Sequence, residues 1–214
     1  AFLAQGLTFM SASLVIKRRE VNEHGQWPSL MHPVLRRVYA ARGVSDEAQV
    51  RNRLGGLLTP DLLGGLEQAV ALLAEAIASN ARICVIGDFD CDGATGTAVA
   101  VRGLKLLGAK NVVFRVPHRL KHGYGLSPEL VADLSDISPD MLLTVDSGVA
   151  CVPGVAAARA AGMKVIITDH HLPGVVLPQA DAMVNPNLEG DAFPSKALAG
   201  VGVMFYLLVA LRAY

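Results

Sequence analysis

Three short apolar runs in this chain end on acidic residues, and no other sequence feature restricts the fold as much. Ile83-Cys84-Val85-Ile86 leads into Asp88-Phe89-Asp90-Cys91-Asp92-Gly93. Met141-Leu142-Leu143-Thr144-Val145 leads into Asp146, and Val165-Ile166-Ile167-Thr168 into Asp169-His170-His171. Such runs are too short for buried helices and lack the alternation of a half-exposed strand, so they read as strands covered on both faces. Strands over 82–87, 111–116, 141–145 and 164–168 alternate with helices over 94–107, 128–135 and 153–161. Ala182-Met183-Val184 is a candidate further strand, and a last helix runs from about Leu198 to the end. This alternation predicts an α/β fold with a doubly wound, mainly parallel sheet and helices on both faces. Ligands of such sheets bind beyond the carboxyl ends of the strands. All three acidic signals fall there.

The chain before the first strand reads differently. An irregular entry is followed by three expected helices. The first is opened by His32-Pro33-Val34 and stopped by Gly43. The second starts at Ser45-Asp46-Glu47 and is broken by Gly55-Gly56. The third is Leu66 to Ser79. The expected division is a small helical N-terminal segment over 1–80 and an α/β domain over 81–214. The final apolar pattern, Phe205 to Leu211, reads as a helix still in progress, so the chain is expected to be part of a longer protein.

Charge and cysteine usage narrow the setting. The net charge is zero, and cutting the chain at 81/82 leaves eight Lys/Arg against seven Asp/Glu before and eleven against twelve after. No global basic field marks either part for nucleic acid. Three cysteines without CxxC spacing read as a reduced, cytoplasmic chain. The uncharged stretches 1–16 and 197–211 are too short for membrane spans. The first has its cations, Lys17-Arg18-Arg19, on the wrong side for a signal peptide. Met10 is expected as the native start, with residues 1–9 upstream of it.

The acidic motifs point to a divalent metal. Three carboxylates on alternate residues repel one another unless a cation offsets them. Capping of the following helix uses one such residue but leaves two without a role. An EF-hand loop is excluded, because its twelfth position is Val99 rather than a bidentate Glu and a strand precedes it. Asp146 alone would pass for a turn residue; the neighbouring motifs give it weight. Two adjacent histidines after an Asp suggest that one imidazole binds metal while the other faces substrate, with the carboxylate as orienter. Gly93-Ala94-Thr95-Gly96-Thr97 opens a helix and suits either a phosphate contact or close helix–strand packing. The basic loop His118-Arg119-Leu120-Lys121-His122-Gly123-Tyr124-Gly125 also follows a strand, where Arg119 and His122 could meet phosphate.

Taken in order, DFDCDGAT at 88–95, HRLKHGYGLSPE at 118–129, TVDSG at 144–148, TDHH at 168–171 and LAGVGVMFYLL at 198–208 resemble the DHH phosphoesterase superfamily. Within it they are most similar to the RecJ-type single-stranded-DNA-specific exonucleases. The resemblance implies a DHH catalytic domain, truncated at its C-terminal side, and 5′-to-3′ digestion of single-stranded DNA in repair and recombination. It assigns metal binding to Asp90, Asp92, Asp146 and His170, with Asp146 as the bridge. Asp88 and Asp169 support the site, and His171, Arg119 and His122 lie near substrate phosphate. Phe89 and Cys91 fall in variable slots and are expected to be neutral. The cofactor implied is Mn²⁺ or Mg²⁺ in a two-metal site whose second position is incomplete here, so the fragment alone is expected to be near-inactive. A repair helicase or a single-strand-binding protein is the implied partner. The competing readings are an oligonucleotide or cyclic-dinucleotide phosphodiesterase of the same superfamily and a non-catalytic replication scaffold. Intact metal-binding positions argue against the scaffold.

Overall fold

The computed structural model describes residues 15, 17–51 and 53–214. The expected native start at Met10 lies outside them. The chain divides into two compact units, Ala1–Leu58 and Thr59–Tyr214. The division falls before the third expected helix, which therefore packs with the sheet.

In the first unit, helix α1 (Pro33–Ala40) begins on Pro33, and the His32 ring caps it by accepting from Val34 N–H. The second expected helix is not formed. Asp46 and Gln49 make a reciprocal capping box, but the turn that follows is a 3-10 segment, Glu47–Val50. Gly55 and Gly56 end its prospects, and one more 3-10 turn, Leu54–Gly56, follows. A helix this short cannot repay its nucleation cost without an apolar face to bury, and none of the described residues of this unit is fully buried.

The second unit opens with a 3-10 turn, Pro60–Leu62, followed by α2 (Leu66–Ala78), and holds five parallel strands: β1 (Ile83–Ile86), β2 (Val112–Arg115), β3 (Met141–Val145), β4 (Lys164–Thr168) and β5 (Ala182–Val184). Their spatial order is β2-β1-β3-β4-β5. Between them lie α3 (Cys91–Leu106), the short α4 (Arg119–His122), α5 (Pro128–Asp133) and α6 (Val152–Ala160); α7 (Gly200–Ala213) closes the unit.

Strand periodicity sorts the core into two layers. Ile83, Val85, Leu143, Val145 and Ile166 pack against α2, α3 and α7, whereas Cys84, Ile86, Leu142, Val165 and Ile167 pack against α5 and α6. Close packing of α3 requires glycine. A Cβ at Gly96 would strike Val145 and one at Gly103 would strike Leu208. Gly93 sits on the Asp88 backbone in the same way, so the small residues at the start of α3 are spent on packing rather than held open for a phosphate. Strand order reverses between β1 and β3, and such a switch point opens a crevice at the carboxyl ends of the strands. Asp88 to Asp92 and Asp146 leave the sheet at this point.

Candidate metal centre

Each acidic residue at the crevice is placed by local backbone chemistry. Asp90 caps α3 by accepting from Gly93 N–H at 2.9 Å, and Asp88 Oδ1 accepts from Phe89 N–H at 2.7 Å. Asp146 follows β3 with φ +61°, a left-handed conformation that Asp and Asn tolerate better than most residues. Asp169 organises the turn after β4. Its Oδ1 accepts from the His170 and His171 N–H groups and lies 2.7 Å from His171 Nδ1, while Oδ2 accepts from Val149 N–H.

These turns bring the side chains together. Asp88, Asp90 and Asp146 offer oxygens within 4.8 Å of one another, and Asp146, His170 and His171 form a second such group. Asp146 belongs to both. Its Oδ1 is buried and accepts no hydrogen bond from the described residues. His170 Nε2 lies 3.0 Å from that oxygen, outside hydrogen-bonding alignment. A buried carboxylate oxygen without a donor is costly. A divalent cation would satisfy it, and a carboxylate-rich set with one or two imidazoles suits a hard or borderline ion.

The electrostatics agree. Burial pushes the Asp146 carboxyl up to about 7, with Asp92 and Asp90 adding repulsion. Burial, followed by Asp90, also raises Asp88. For His171 burial opposes the imidazolium, but the hydrogen bond and charge of Asp169, together with Asp146 and Asp88, raise its pKa overall. Two helix N-termini, those of α3 and α7, point their positive ends into this cluster and offset part of the repulsion.

Asp92 behaves differently from its neighbours. Its two oxygens accept from Gly200 N–H at 2.8 Å and Val201 N–H at 2.7 Å, which caps α7. Oδ2 remains 3.6 Å from His170 Nε2. Each oxygen keeps a second lone pair, so capping and ligation are compatible. Gly200 must be glycine here, because a Cβ would overlap the Asp146 carboxylate.

The basic loop divides. The Arg119 guanidinium lies 4.3 Å over the Phe89 ring. His122 turns to Asp133 at 2.9 Å and accepts from His118 N–H, while Lys121 pairs with the same Asp133 oxygen. His122 thus has a structural partner and is not drawn into either ligand group. Phe89, expected to be neutral, supports Arg119 and meets the Tyr124 ring edge-on.

The DHH-family N-terminal domain matches residues 82–214. The chain belongs to the DHH family. Over 196 residues it is 50% identical to the single-stranded-DNA-specific exonuclease RecJ of Dickeya dadantii, covering 92% of this chain and 34% of that one. Over 205 residues it is 46% identical to RecJ of Escherichia coli, covering 96% and 36%. The chain thus spans about a third of the length of these relatives. Among solved structures it resembles an exonuclease RecJ bound to manganese, with TM-score 0.66 and 43% identity over 73% of this chain and 40% of that one. RecJ from Thermus thermophilus in complex with Mn²⁺ gives TM-score 0.64 and 38% identity over 82% of this chain and 24% of that one.

Sequence reasoning about this DHH-family site passes over three supports. The Tyr124 hydroxyl donates to the Asp146 carbonyl at 3.0 Å and its ring lies edge-on to His171; burial raises its phenol pKa, so it stays a donor. Asn185 and Asn187 donate to the His171 and His170 carbonyls. The only sequence signals are the aromatic within the basic loop and two asparagines just after a candidate strand.

Proposed function

We propose that this chain is the N-terminal catalytic part of a metal-dependent phosphodiesterase, a 5′-to-3′ exonuclease acting on single-stranded DNA in repair and recombination, working in the cytoplasm. The carrying observation is the buried Asp146 Oδ1, which accepts no hydrogen bond from the described residues and is shared by two groups of candidate ligands. Asp90, Asp92, Asp146 and His170 would hold the ions, with Asp88 close enough to share them. Mn²⁺ or Mg²⁺ there would supply an activated water and neutralise charge accumulating on the phosphate. Asp146 bridges the two ligand groups, and Asp169 fixes the His171 ring through Nδ1 so that Nε2 can meet a phosphate oxygen or leaving group. Arg119, propped on Phe89, binds a non-reacting phosphate. His122 acts through the loop by locking His118 and Asp133 around it. The DHH catalytic domain over 81–214 takes α2 into its core. A repair helicase or a single-strand-binding protein is the partner class. Manganese binding and exonuclease activity of the RecJ relatives support this reading.

The test is Mn²⁺-dependent release of nucleotides from a 5′-labelled single strand by the longer protein that contains this chain. Arg119→Ala should lower the rate tenfold or more with an unchanged melting temperature. Asp146→Asn should abolish cleavage. Wild-type rates in Asp146→Asn would end the proposal.

A further inference from the structure

We infer that the N-terminal unit carries an arginine groove that binds the phosphate backbone of a single-stranded nucleic acid. The inference starts from a charge division that the structure exposes. Cut at Leu58/Thr59, where the compact units part, residues 1–58 hold eight Lys/Arg against four Asp/Glu, and residues 59–214 hold eleven against fifteen. The chain is neutral because a basic unit and an acidic unit cancel.

The cations of the first unit are gathered rather than spread. Arg18, Arg19, Arg37 and Arg42 line one groove together with Val21, Val38 and Ala41. Arg37 builds it. One amino group pairs with Glu23 at 3.2 Å and the other donates to the Arg19 carbonyl at 2.9 Å, which ties the backbone at Arg19 to α1. Arg42 follows α1 and donates back to the Val38 carbonyl, placing its charge at the negative end of the helix dipole. Clustered like charges repel, and this unit does little to neutralise them. Glu23 is shared by Arg36 and Arg37, Glu47 pairs with Arg51, Asp46 caps a turn, and the exposed Glu20 forms no ion pair among the described residues. Among the described residues Arg18, Arg19 and Arg42 pair with no carboxylate, and the undescribed residues contain no Asp or Glu.

An array of guanidiniums interleaved with apolar side chains in one groove suits an extended polyanion. Arginine forks take phosphate oxygens two at a time, and the apolar side chains accommodate sugars. The acidic second unit gains nothing from attracting DNA by net charge, so a basic unit on the same chain supplies an attraction that the metal centre cannot. The choice of nucleic acid over an acidic protein rests on the function proposed above; the groove and its charge do not.

The experiment uses the whole chain in EDTA, so that neither metal nor cleavage enters, with fluorescence anisotropy of a labelled oligo-dT across a salt series. Replacing Arg18, Arg19 and Arg42 together by Ala should weaken binding about tenfold at low salt. It should also lower the slope of log K against log salt by about two, at roughly 0.7 for each phosphate that is no longer neutralised. The triple Lys variant should keep the slope. A charge-matched control, Arg102, Lys105 and Lys110 to Ala on the second unit, should retain most of the affinity, and melting curves should stay unchanged throughout. Equal loss in both triples would reduce the effect to net charge and overturn the groove. Equal affinity for poly-glutamate would overturn the nucleic-acid assignment. Because the assay is free of metal, absence of nuclease activity in the longer protein would leave its result standing.

Discussion

The two units use charge in opposite ways. In the second, Asp88, Asp146 and Asp169 are 3%, 1% and 1% exposed, at the ends of strands that are themselves buried on both faces. In the first, the arginines lie on an open surface and no described residue is fully buried. Burial makes a charge expensive, shifts its pKa and makes it answer to a ligand. Exposure leaves a charge cheap, screened and useful mainly as an attracting field. One chain therefore carries buried carboxylates suited to divalent cations and exposed arginines suited to a polyanion.

The strongest way to break this comparison is Asp146→Asn, which keeps the left-handed backbone conformation but removes the charge. In the wild-type chain, Mn²⁺ at a hundredfold excess over Kd should add about 2.7 kcal/mol, several degrees in Tm for a chain of this size. The variant should lose most of that gain and, without metal at pH 8, melt above the wild type. An equal Mn²⁺ response in the variant would take the carboxylate out of the metal site.

Gly200→Ala comes next. A methyl pressed onto the Asp146 carboxylate should cost about 1–3 kcal/mol, as overpacking does, and weaken the Mn²⁺ response with it. Thermal melts with and without metal read both effects, and a stable variant with full response would show that the α7 N-terminus can move aside.

The pH dependence sharpens the same point. The Asp146 carboxyl titrates near 7 in the folded chain and near 4 when unfolded. A raised pKa means that the folded state holds the proton more tightly. The resulting stability is complete below about pH 4 and lost as pH climbs through about 7. Without metal, wild-type Tm should fall relative to Asp146→Asn between pH 5 and 8. Protons compete with the ion, so the Mn²⁺ response should grow over the same window. Parallel Tm profiles for the two proteins would contradict the buried-carboxylate assignment.

Tyr124→Phe removes one hydrogen bond to the Asp146 carbonyl and should cost about 1 kcal/mol, with a modest drop in Mn²⁺ affinity seen by titration calorimetry. The smallest effect belongs to the first unit. Breaking its exposed Glu47–Arg51 pair with Arg51→Ala should leave Tm unchanged, because exposed pairs contribute little. A clear Tm loss there would mean that the two units are less different than their burial implies.

The core of the α/β unit is readable because buried parallel strands need uninterrupted apolar runs. All five expected strands appear, within a residue or so of their forecast ends. The helix expected from Ser45 fails because its capping signal is real and its apolar face is not. Asp88, Asp90, Asp146, Asp169, His170 and His171 are likewise legible, since carboxylates and imidazoles at strand ends face one crevice in any doubly wound sheet. The contact of His122 with Asp133 is not legible in the same way, because that pairing is a tertiary choice between residues eleven apart in sequence. The contact of Arg119 with the Phe89 ring is likewise absent from the sequence pattern, since only the folded chain brings the two together.

By itself, then, the sequence determined the fold class, the family motifs and the side of the sheet that carries the chemistry, because periodicity and strand-end position are local properties. Only tertiary structure decided which buried carboxylate oxygen accepts no hydrogen bond from the described residues. Asp92 and Asp146 are similar acidic residues in similar motifs, yet the start of α7, more than a hundred residues beyond Asp92, supplies two backbone donors to one of them and presses a glycine against the other. It also decided where the charges divide, since a neutral chain becomes a basic and an acidic unit only once packing shows where to cut it.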